Sequence, residues 1–324
     1  MLVLAVGGNA AVGGQPLSWV VASDGSAPYH SVQAALDAIP PGGGETVTIH
    51  IKPGTYVEQL TVAANKPPLR LVGEDAGKTI LTFHLHANLP GPDGLPLGTG
   101  KSSSTFVLAD NFTAENLTFA NSTPRDVAQA LAISTSGDRQ IFRNCRFLGW
   151  QDTIYTHRGR LYFENCYIEG GVDFMFGAAT AVFKNCEVRS KRAGYLTAAS
   201  TPETEPFGYV FIGCRLTAEP DVKTGSVYLG RPWREFASVV FLDCEMGAHI
   251  RPEGWDNWKN PAREKTARYA EHGSRGPGAN PGARAGWSRQ LDDAGAKAIT
   301  VQAVLGGRDG WNPELDGNRS KTSP

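Results

Sequence analysis

The sequence predicts an all-β solenoid of stacked parallel coils whose ends are closed by short capping helices. Its 324 residues include 38 Gly and 21 Pro, so turns are frequent and helical periodicity is confined to short segments. A Phe-x-x-Cys motif occurs five times, with its cysteines 21, 20, 28 and 30 residues apart. A repeat of this length with insertions, in turn-rich β sequence, is typical of a solenoid.

Charge and hydropathy exclude two classes of protein. The chain has 31 Lys plus Arg and 32 Asp plus Glu, a net charge of −1, which argues against a nucleic-acid binder. No segment approaches the roughly 18 apolar residues of a membrane span. Residues 1–8 lack a basic segment before their apolar run, so we expect no intact signal peptide there. We assign residues 1–19 to an N-terminal extension and residues 20–324 to a single solenoid domain with a C-terminal wrapping tail.

Each copy of the motif is predicted to place the same side chains in the interior. A Phe lies three residues before each Cys, and another apolar residue lies two residues after it. Coils stack about 4.8 Å apart, so equivalent side chains form columns. The cysteines are Cys145, Cys166, Cys186, Cys214 and Cys244, and the apolar residues after them are Phe147, Ile168, Val188, Leu216 and Met246.

We interpret the cysteines as small buried side chains rather than as a disulfide framework. Their number is odd, and an earlier copy of the motif has Leu117 in the cysteine position. A bridge between adjacent coils is nevertheless compatible with the expected spacing. Asn144, Asn165 and Asn185 each precede a cysteine, and we expect them to form turns.

Covers are expected at both ends because an open solenoid exposes unpaired strand edges. Residues 31–39 fit a short amphipathic helix with Ser31 as its N-cap and two prolines after its end. The motif stops near Trp255, and residues 291–299 predict another short helix in the tail. The Pro- and Gly-rich segment at residues 84–101 is expected to be a surface loop.

Three charged residues recur at nearly one phase of the repeat. Asp152, Asp173 and Arg231 lie 14, 13 and 13 residues before the cysteine of their own coil. They should therefore project from one side of the solenoid on nearby coils. The coil between Asp173 and Arg231 has small residues at positions 197–200, which leave room for the Arg231 side chain to reach Asp173.

Amide and aromatic side chains are predicted beside the column formed by Asp152, Asp173 and Arg231. Gln129 lies one coil earlier, and Gln151 adjoins Asp152. Aromatic residues of the kind that suit sugar rings lie on the same strands: Trp150, Tyr155, Phe176 and Trp233. One interpretation is an exposed ion-paired stripe. Two carboxylates on adjacent coils, however, repel each other and raise the pKa of one, and this favours an acid beside a nucleophile or base.

At these residues the sequence resembles the pectin methylesterase family, carbohydrate esterases with a right-handed parallel β-helix fold. Similarity extends from about residue 20 to about residue 306, and five segments carry it in the family's order. The segments are GTYVE (54–58), QALAI (129–133), QDTIY (151–155), GVDFMFG (171–177) and LGRPW (229–233). Leu131 and Met175 stand where the family more often has Val and Ile, and both remain apolar.

The resemblance implies a role for each polar residue of the column. Asp173 would be the nucleophile, and Asp152 would be the general acid and base. Gln129 and Gln151 would stabilise an oxyanion, and Arg231 would orient the nucleophile. The implied reaction is hydrolysis of the C6 methyl ester of a galacturonate unit, with release of methanol.

The implied substrate is methyl-esterified homogalacturonan, the methylated pectin chain. The side chains expected to contact this polymer are Tyr155, Phe176, Trp233 and Trp255. Neither a cofactor nor a metal is expected, since no His and Cys cluster has ligand spacing. Because pectin lies outside the cell that degrades it, we expect a secreted or periplasmic protein, acting as a monomer.

The sequence leaves alternatives open. Paired carboxylates also serve chain-cleaving β-helix glycosidases, and a sugar-binding solenoid would carry the same groups in an inactive site. A thioester hydrolase is compatible with the same fold. A Ser-His-Asp hydrolase is disfavoured because the sequence has no Gly-x-Ser-x-Gly motif.

Overall fold

Parallel pairing between successive coils builds the molecule. The computed structural model describes residues 18–316. Its strands pair in parallel with the equivalent strands of the coil before and the coil after. The predicted parallel β-helix is confirmed.

The secondary-structure elements are short, as the many turns require. The strands of the first half are β1 (Ser18–Val21), β2 (Val47–Ile51), β3 (Gly54–Val57), β4 (Leu60–Val62), β5 (Leu69–Gly73), β6 (Thr79–Phe83), β7 (Ser103–Val107), β8 (Phe112–Glu115), β9 (Thr118–Asn121), β10 (Leu131–Thr135), β11 (Gln140–Arg143), β12 (Arg146–Leu148) and β13 (Ile154–Thr156). Those of the second half are β14 (Arg160–Glu164), β15 (Tyr167–Gly177), β16 (Thr180–Lys184), β17 (Glu187–Ala199), β18 (Tyr209–Ile212), β19 (Arg215–Ala218), β20 (Val227–Gly230), β21 (Ser238–Leu242), β22 (Glu245–Met246), β23 (Arg268–His272) and β24 (Arg289–Gln290). The helices are α1 (Val32–Ala38), α2 (Asp293–Ala298), α3 (Val301–Leu305) and α4 (Pro313–Asp316), with 3-10 turns at Thr99–Lys101, Pro261–Lys265 and Pro281–Ala283.

The coils contribute strands to three faces. The first face is one sheet in the order β1-β2-β5-β8-β11-β14-β16-β18-β21-β23-β24. The second face holds β3, β6, β9, β12, β19 and β22 with the first residues of β15 and β17. The third face holds β4, β7, β10, β13 and β20 with the last residues of β15 and β17. These two long strands therefore join the second face to the third.

The predicted phenylalanine column runs through the interior. Phe142, Phe163, Phe183, Phe211 and Phe241 occupy equivalent register positions on the first face. Successive rings are nearly parallel, with centroids 4.8, 4.6, 4.6 and 4.4 Å apart. All five side chains are fully buried. Strand spacing thus imposes ring stacking on the column, which adds to the free energy of apolar burial.

The five cysteines are buried free thiols, as the sequence predicted. In Cys166, Cys186, Cys214 and Cys244 the sulfur lies 3.2 to 3.7 Å from the backbone carbonyl of the motif Phe one coil earlier. Each thiol thus packs between coils and supplies a weak donor to a carbonyl, the role of a small hydrophobic side chain.

The turn that precedes each cysteine is left-handed. Asn144, Asn165 and Asn185 have φ of 51°, 53° and 54°. The two later coils have Gly213 and Asp243 at this position, with φ of 63° and 53°. Gly, Asn and Asp adopt this conformation at the least cost, so the predicted turn role of the asparagines is confirmed.

The helix predicted at residues 31–39 is confirmed as α1. The Ser31 hydroxyl accepts a hydrogen bond from the Ala34 N–H at 3.1 Å. The Glu58 carboxylate accepts from the N–H groups of Val32 and Gln33 at 2.7 and 3.0 Å, so the helix start is capped twice. The apolar face of α1 packs on β1 and β4 and joins the core at the first coils.

The C-terminal tail covers the outer surface of the first face. The helix predicted at residues 291–299 is present as α2, with Asp292 as its N-cap; α3 and α4 were not predicted. Side chains of α3 contact β16 and belong to one buried apolar cluster with residues of β14, β18 and β21. None of the helices within residues 18–316 has the length and apolar character needed to cross a membrane.

A buried ion pair joins the last coils. Arg284 donates hydrogen bonds of 2.7 and 3.1 Å to the two carboxylate oxygens of Glu271, and the side chains are 2% and 4% exposed. The same guanidinium donates to the carbonyls of Arg251, Pro252 and Gly278. Arg284 therefore ties β23 to the loop that follows β22.

Glu271→Ala is expected to lower the free energy of unfolding by about 3–5 kcal/mol, because it leaves the Arg284 charge buried without its partner. Denaturant unfolding followed by tryptophan fluorescence measures the loss. Arg215→Gln is the control: it breaks the pair with Glu187 at a site where the arginine side chain is 59% exposed. That change should cost at most about 1 kcal/mol. Equal losses in the two variants would contradict the assigned role of the buried pair.

Candidate active site

Asp152 and Asp173 occupy equivalent positions on adjacent coils of the third face. Pairing on either side of them joins Gln151 to Val172 and Ile154 to Met175. Both aspartates have left-handed backbone angles, with φ of 65° and 50°. Asp adopts such angles at lower cost than most residues, as Asp243 does in its turn, and they are also found at functional sites.

A β-bulge accounts for the position of Asp173. Between Val172 and Met175 the register of β15 against β17 shifts, because β15 holds one residue more than its neighbour there. Bulges bend a strand and redirect a side chain, and they are frequent beside active sites. The bulge and the matching backbone at Asp152 thus present two carboxylates side by side on the third face.

Arg231 reaches Asp173 as the phase of the repeat predicts. It directly follows β20, and its side chain spans the intervening coil, where Ala198 leaves the space open. Its Nε donates to Asp173 Oδ1 at 2.9 Å, and its Nη2 donates to Oδ2 at 2.6 Å. This two-point pairing holds the carboxylate plane in one orientation.

Burial and charge set the protonation of the two aspartates, each of which is 7% exposed. Burial, and next the nearby charge of Asp173, raises the pKa of Asp152 well above its ordinary value of 3.8, while Arg231 opposes the shift. Burial also raises the pKa of Asp173, but the hydrogen bonds and charge of Arg231 act against it. These effects favour ionisation of Asp173 before Asp152, because Arg231 pairs with Asp173 directly.

The structure gathers eight of the nine predicted site residues around one cleft of about 430 Å³. These are Gln129, Gln151, Asp152, Tyr155, Asp173, Phe176, Arg231 and Trp233. Gln129 and Gln151 are partly exposed, precede β10 and β13, and line the cleft together with the two carboxylates.

Aromatic rings form one wall of the cleft. The rings of Tyr155 and Phe176 stack with centroids 4.5 Å apart and an interplanar angle of 4°. Trp233 meets both rings edge-on, with centroids 6.4 and 5.7 Å away. The three side chains give the cleft a rigid apolar surface of the kind that packs on the faces of sugar rings.

The prediction that Trp255 contacts substrate is wrong. This residue is 3% exposed, and it packs between Phe241 and Tyr269 with ring centroids 5.9 and 4.3 Å away. Pairing with Gly230 extends the third face at this point and turns the indole into the core. Trp258, three residues later and with a φ of 58°, lines the cleft instead.

Two further contributions to the cleft were not predicted. Thr99 and Gly100 line it from the loop at residues 84–101, which was expected to be only a surface loop. A hydrogen bond of 2.8 Å from the Ala87 N–H to the Gln129 carbonyl holds that loop against the third face. Within residues 18–316, no cluster of three or more His, Cys, Asp or Glu side chains is arranged to hold a metal ion.

The chain matches the Pectinesterase family model over residues 18–308. It is 41% identical over 282 residues to Pectinesterase 31 of Arabidopsis thaliana, covering 85% of this chain and 88% of that protein. Pectin methylesterase from carrot superposes with a TM-score of 0.85 at 28% identity, over 98% of both chains. A pectin methylesterase solved in complex with hexasaccharide VII gives a TM-score of 0.82 at 32% identity, over 93% of this chain and 99% of that chain.

Fold, cleft and similarity agree over nearly the same stretch of sequence. The family match includes all the strands that carry the cleft, from β4 to β20. The identity to a curated pectinesterase also spans most of both proteins. The chain therefore belongs to the pectinesterase family and is a carboxylic ester hydrolase of that family.

Proposed function

We propose that the protein hydrolyses the C6 methyl ester of homogalacturonan with Asp173 as its nucleophile. The observation that carries this proposal is the two-point pairing of Arg231 with Asp173 beside the buried Asp152, whose pKa is raised by burial and by the charge of Asp173. Such a site holds one ionised carboxylate oriented for attack and one acid ready to donate a proton.

In the first half of the reaction, an oxygen of Asp173 bonds to C6 of the ester and forms a tetrahedral oxyanion. The side-chain amides of Gln129 and Gln151 donate hydrogen bonds to this oxyanion. As the bond from C6 to the methoxy oxygen breaks, Asp152 gives its proton to the departing oxygen and methanol leaves. An anhydride between Asp173 and the galacturonate carboxyl group remains.

In the second half, the ionised Asp152 takes a proton from water, and the water oxygen bonds to C6. The bond from C6 to the Asp173 oxygen then breaks, which restores the nucleophile and releases the galacturonate. Each half uses Asp152 once, first as an acid and then as a base, so the proton count balances over one turnover. Every step uses groups that line the cleft.

The aromatic wall supports a polymeric sugar as the substrate. We assign Tyr155, Phe176 and Trp233 to contact with the galacturonate chain, because their stacked and edge-on rings give a flat apolar surface next to the carboxylates. A similar pectin methylesterase was solved in complex with a hexasaccharide, which supports an extended sugar chain as the ligand. We also infer that the protein acts as a monomer outside the cytoplasm, where pectin is found.

The geometry favours an esterase over a chain-cleaving glycosidase. A retaining glycosidase uses its two carboxylates from either side of a glycosidic bond. Here Asp152 and Asp173 project side by side from equivalent positions of adjacent coils. The two glutamines beside them suit an oxyanion, which ester hydrolysis forms and glycoside hydrolysis does not.

The products test the proposed reaction. Purified protein added to methylated galacturonan is expected to release methanol and one proton per ester while generating no new reducing ends. Methanol and reducing-end assays on the same samples measure both outcomes, and demethylated polygalacturonate is the matched substrate control. New reducing ends would indicate a glycosidase, and tight binding to pectin without either product would indicate an inactive sugar-binding protein.

A further inference from the structure

Two aromatic rings contact the guanidinium of Arg231. Its Cζ lies 3.9 Å from the ring centroid of Tyr195 and 3.7 Å from that of Trp258. Both distances are those of ring contact with a guanidinium group. Trp258 lines the cleft, whereas Tyr195 stands behind Arg231 and is not among the lining residues.

Tyr195 is itself held in place. It stands in register with Val172 on one side and Tyr228 on the other, and the two tyrosine rings stack with centroids 5.2 Å apart at 8°. Gly194 allows this coil to approach, since a Cβ there would lie 2.2 Å from the Gly171 carbonyl oxygen. The stack of Tyr195 on Tyr228 is thus part of the third face, and Tyr195 pairs with Val172, the residue before Asp173.

We propose that Tyr195 is a positioning residue for the esterase reaction, fixing the plane of the Arg231 guanidinium so that both of its hydrogen bonds reach Asp173. This role rests on the proposed function of Asp173. A two-point pair needs the guanidinium and the carboxylate to share a plane, and a flat ring against the guanidinium restricts rotation out of that plane. Cation–π attraction strengthens the contact in a partly buried site.

Loss of the ring should change the ionisation of Asp173. The charged and titratable groups near enough to interact electrostatically with this carboxylate are Asp152, Tyr195, Arg231, Asp256 and Tyr269. Only Arg231 among them favours the ionised form, while burial and Asp256 oppose it. If the guanidinium leaves the carboxylate plane, the pKa of Asp173 rises. The fall in activity on the acid side of the pH profile, here called the acid limb, then moves to higher pH.

Tyr195→Ala and Tyr195→Leu remove the ring, and Tyr195→Phe retains it. We expect the first two variants to lower kcat for methanol release about tenfold with little change in KM. The acid limb of kcat/KM should move up by about one pH unit, while Tyr195→Phe stays within about twofold of wild type. Tyr167→Ala is the matched control, because Tyr167 also packs on an arginine, Arg146 at 5.2 Å, but on the second face.

An acid limb that stays in place in both ring-deleted variants would overturn the proposal, even if kcat falls, because a merely structural defect lowers activity without moving the limb. Impairment of Tyr195→Phe equal to that of Tyr195→Ala would overturn it as well, since the hydroxyl and not the ring would then matter. Failure of the proposed function has a different signature: substitution of Asp173 itself would leave methanol release intact.

Discussion

Asp173→Asn is expected to reduce kcat for methanol release by on the order of 10³-fold or more, since an amide cannot attack the ester carbonyl as a carboxylate does. The substitution keeps the size of the side chain, and an amide oxygen still accepts one hydrogen bond from Arg231. KM should therefore change little, because the aromatic wall and the glutamines remain. Steady-state methanol release across a range of pectin concentrations separates the two parameters.

Asp243→Asn is the control for this substitution. Asp243 also has a left-handed backbone, with a φ of 53°, but it lies in a turn before Cys244 and outside the cleft lining. Its activity should equal that of the wild type, and so should the thermal unfolding of both variants to within a few degrees. Substantial methanol release by folded Asp173→Asn would contradict a nucleophilic role and indicate direct attack by water.

The acid limb of the wild-type profile follows from the same residue. Asp173 must be ionised to attack, and burial raises its pKa above the ordinary 3.8 against the opposing effect of Arg231. Activity should therefore fall as the pH falls through this raised value, rather than only below the usual carboxyl range. Because Asp152 and Asp173 interact, the pH at which activity falls is an apparent pKa of the pair and not of Asp173 alone.

Repetition made most of the fold predictable. Because each coil places a Phe and a Cys at the same phase, counting from the cysteines indicated both the interior columns and the side from which Asp152, Asp173 and Arg231 project. The β-bulge at Asp173 was not visible, because it is a difference in register between β15 and β17. A register shift of one residue leaves no mark in the sequence when the motif spacing already varies through insertions.

Residues outside the repeat were harder to place. Trp255 and Trp258 lie three residues apart beyond the last motif, and only the pairing of Trp255 with Gly230 decides which indole enters the core. Thr99 and Gly100 reach the cleft because a backbone hydrogen bond holds their loop against Gln129. Tyr195 carried no signal of its own, since its contact with Arg231 depends on stacking across coils.

Asp152→Asn is expected to reduce kcat by about 10²–10⁴-fold, because methoxide is a poor leaving group and an amide cannot give it a proton.

The fall in wild-type activity on the alkaline side of the pH profile, the alkaline limb, has the same origin. Asp152 must be protonated at the start of each turnover, so activity falls as the pH rises through its pKa, which burial and the Asp173 charge place well above 3.8. In the variant, the residual activity should lose this limb and keep the acid limb. An alkaline limb that survives in Asp152→Asn would assign the acid to another group.

The stability of the same variant gives an independent test of how Asp152 ionises. A carboxyl group with a raised pKa in the folded state binds a proton that the unfolded chain releases, so folding is progressively disfavoured as the pH rises above the ordinary value of 3.8. An asparagine removes that linkage. Asp152→Asn should therefore be at least as stable as the wild type at neutral pH, and its advantage should shrink as the pH falls toward 3.8 and be lost below that value. Calorimetric melting at several pH values measures this difference.

A variant that is less active but more stable indicates that the acid is kept for catalysis at a cost to the fold. A variant destabilised at every pH would show instead that Asp152 serves the packing of the coil.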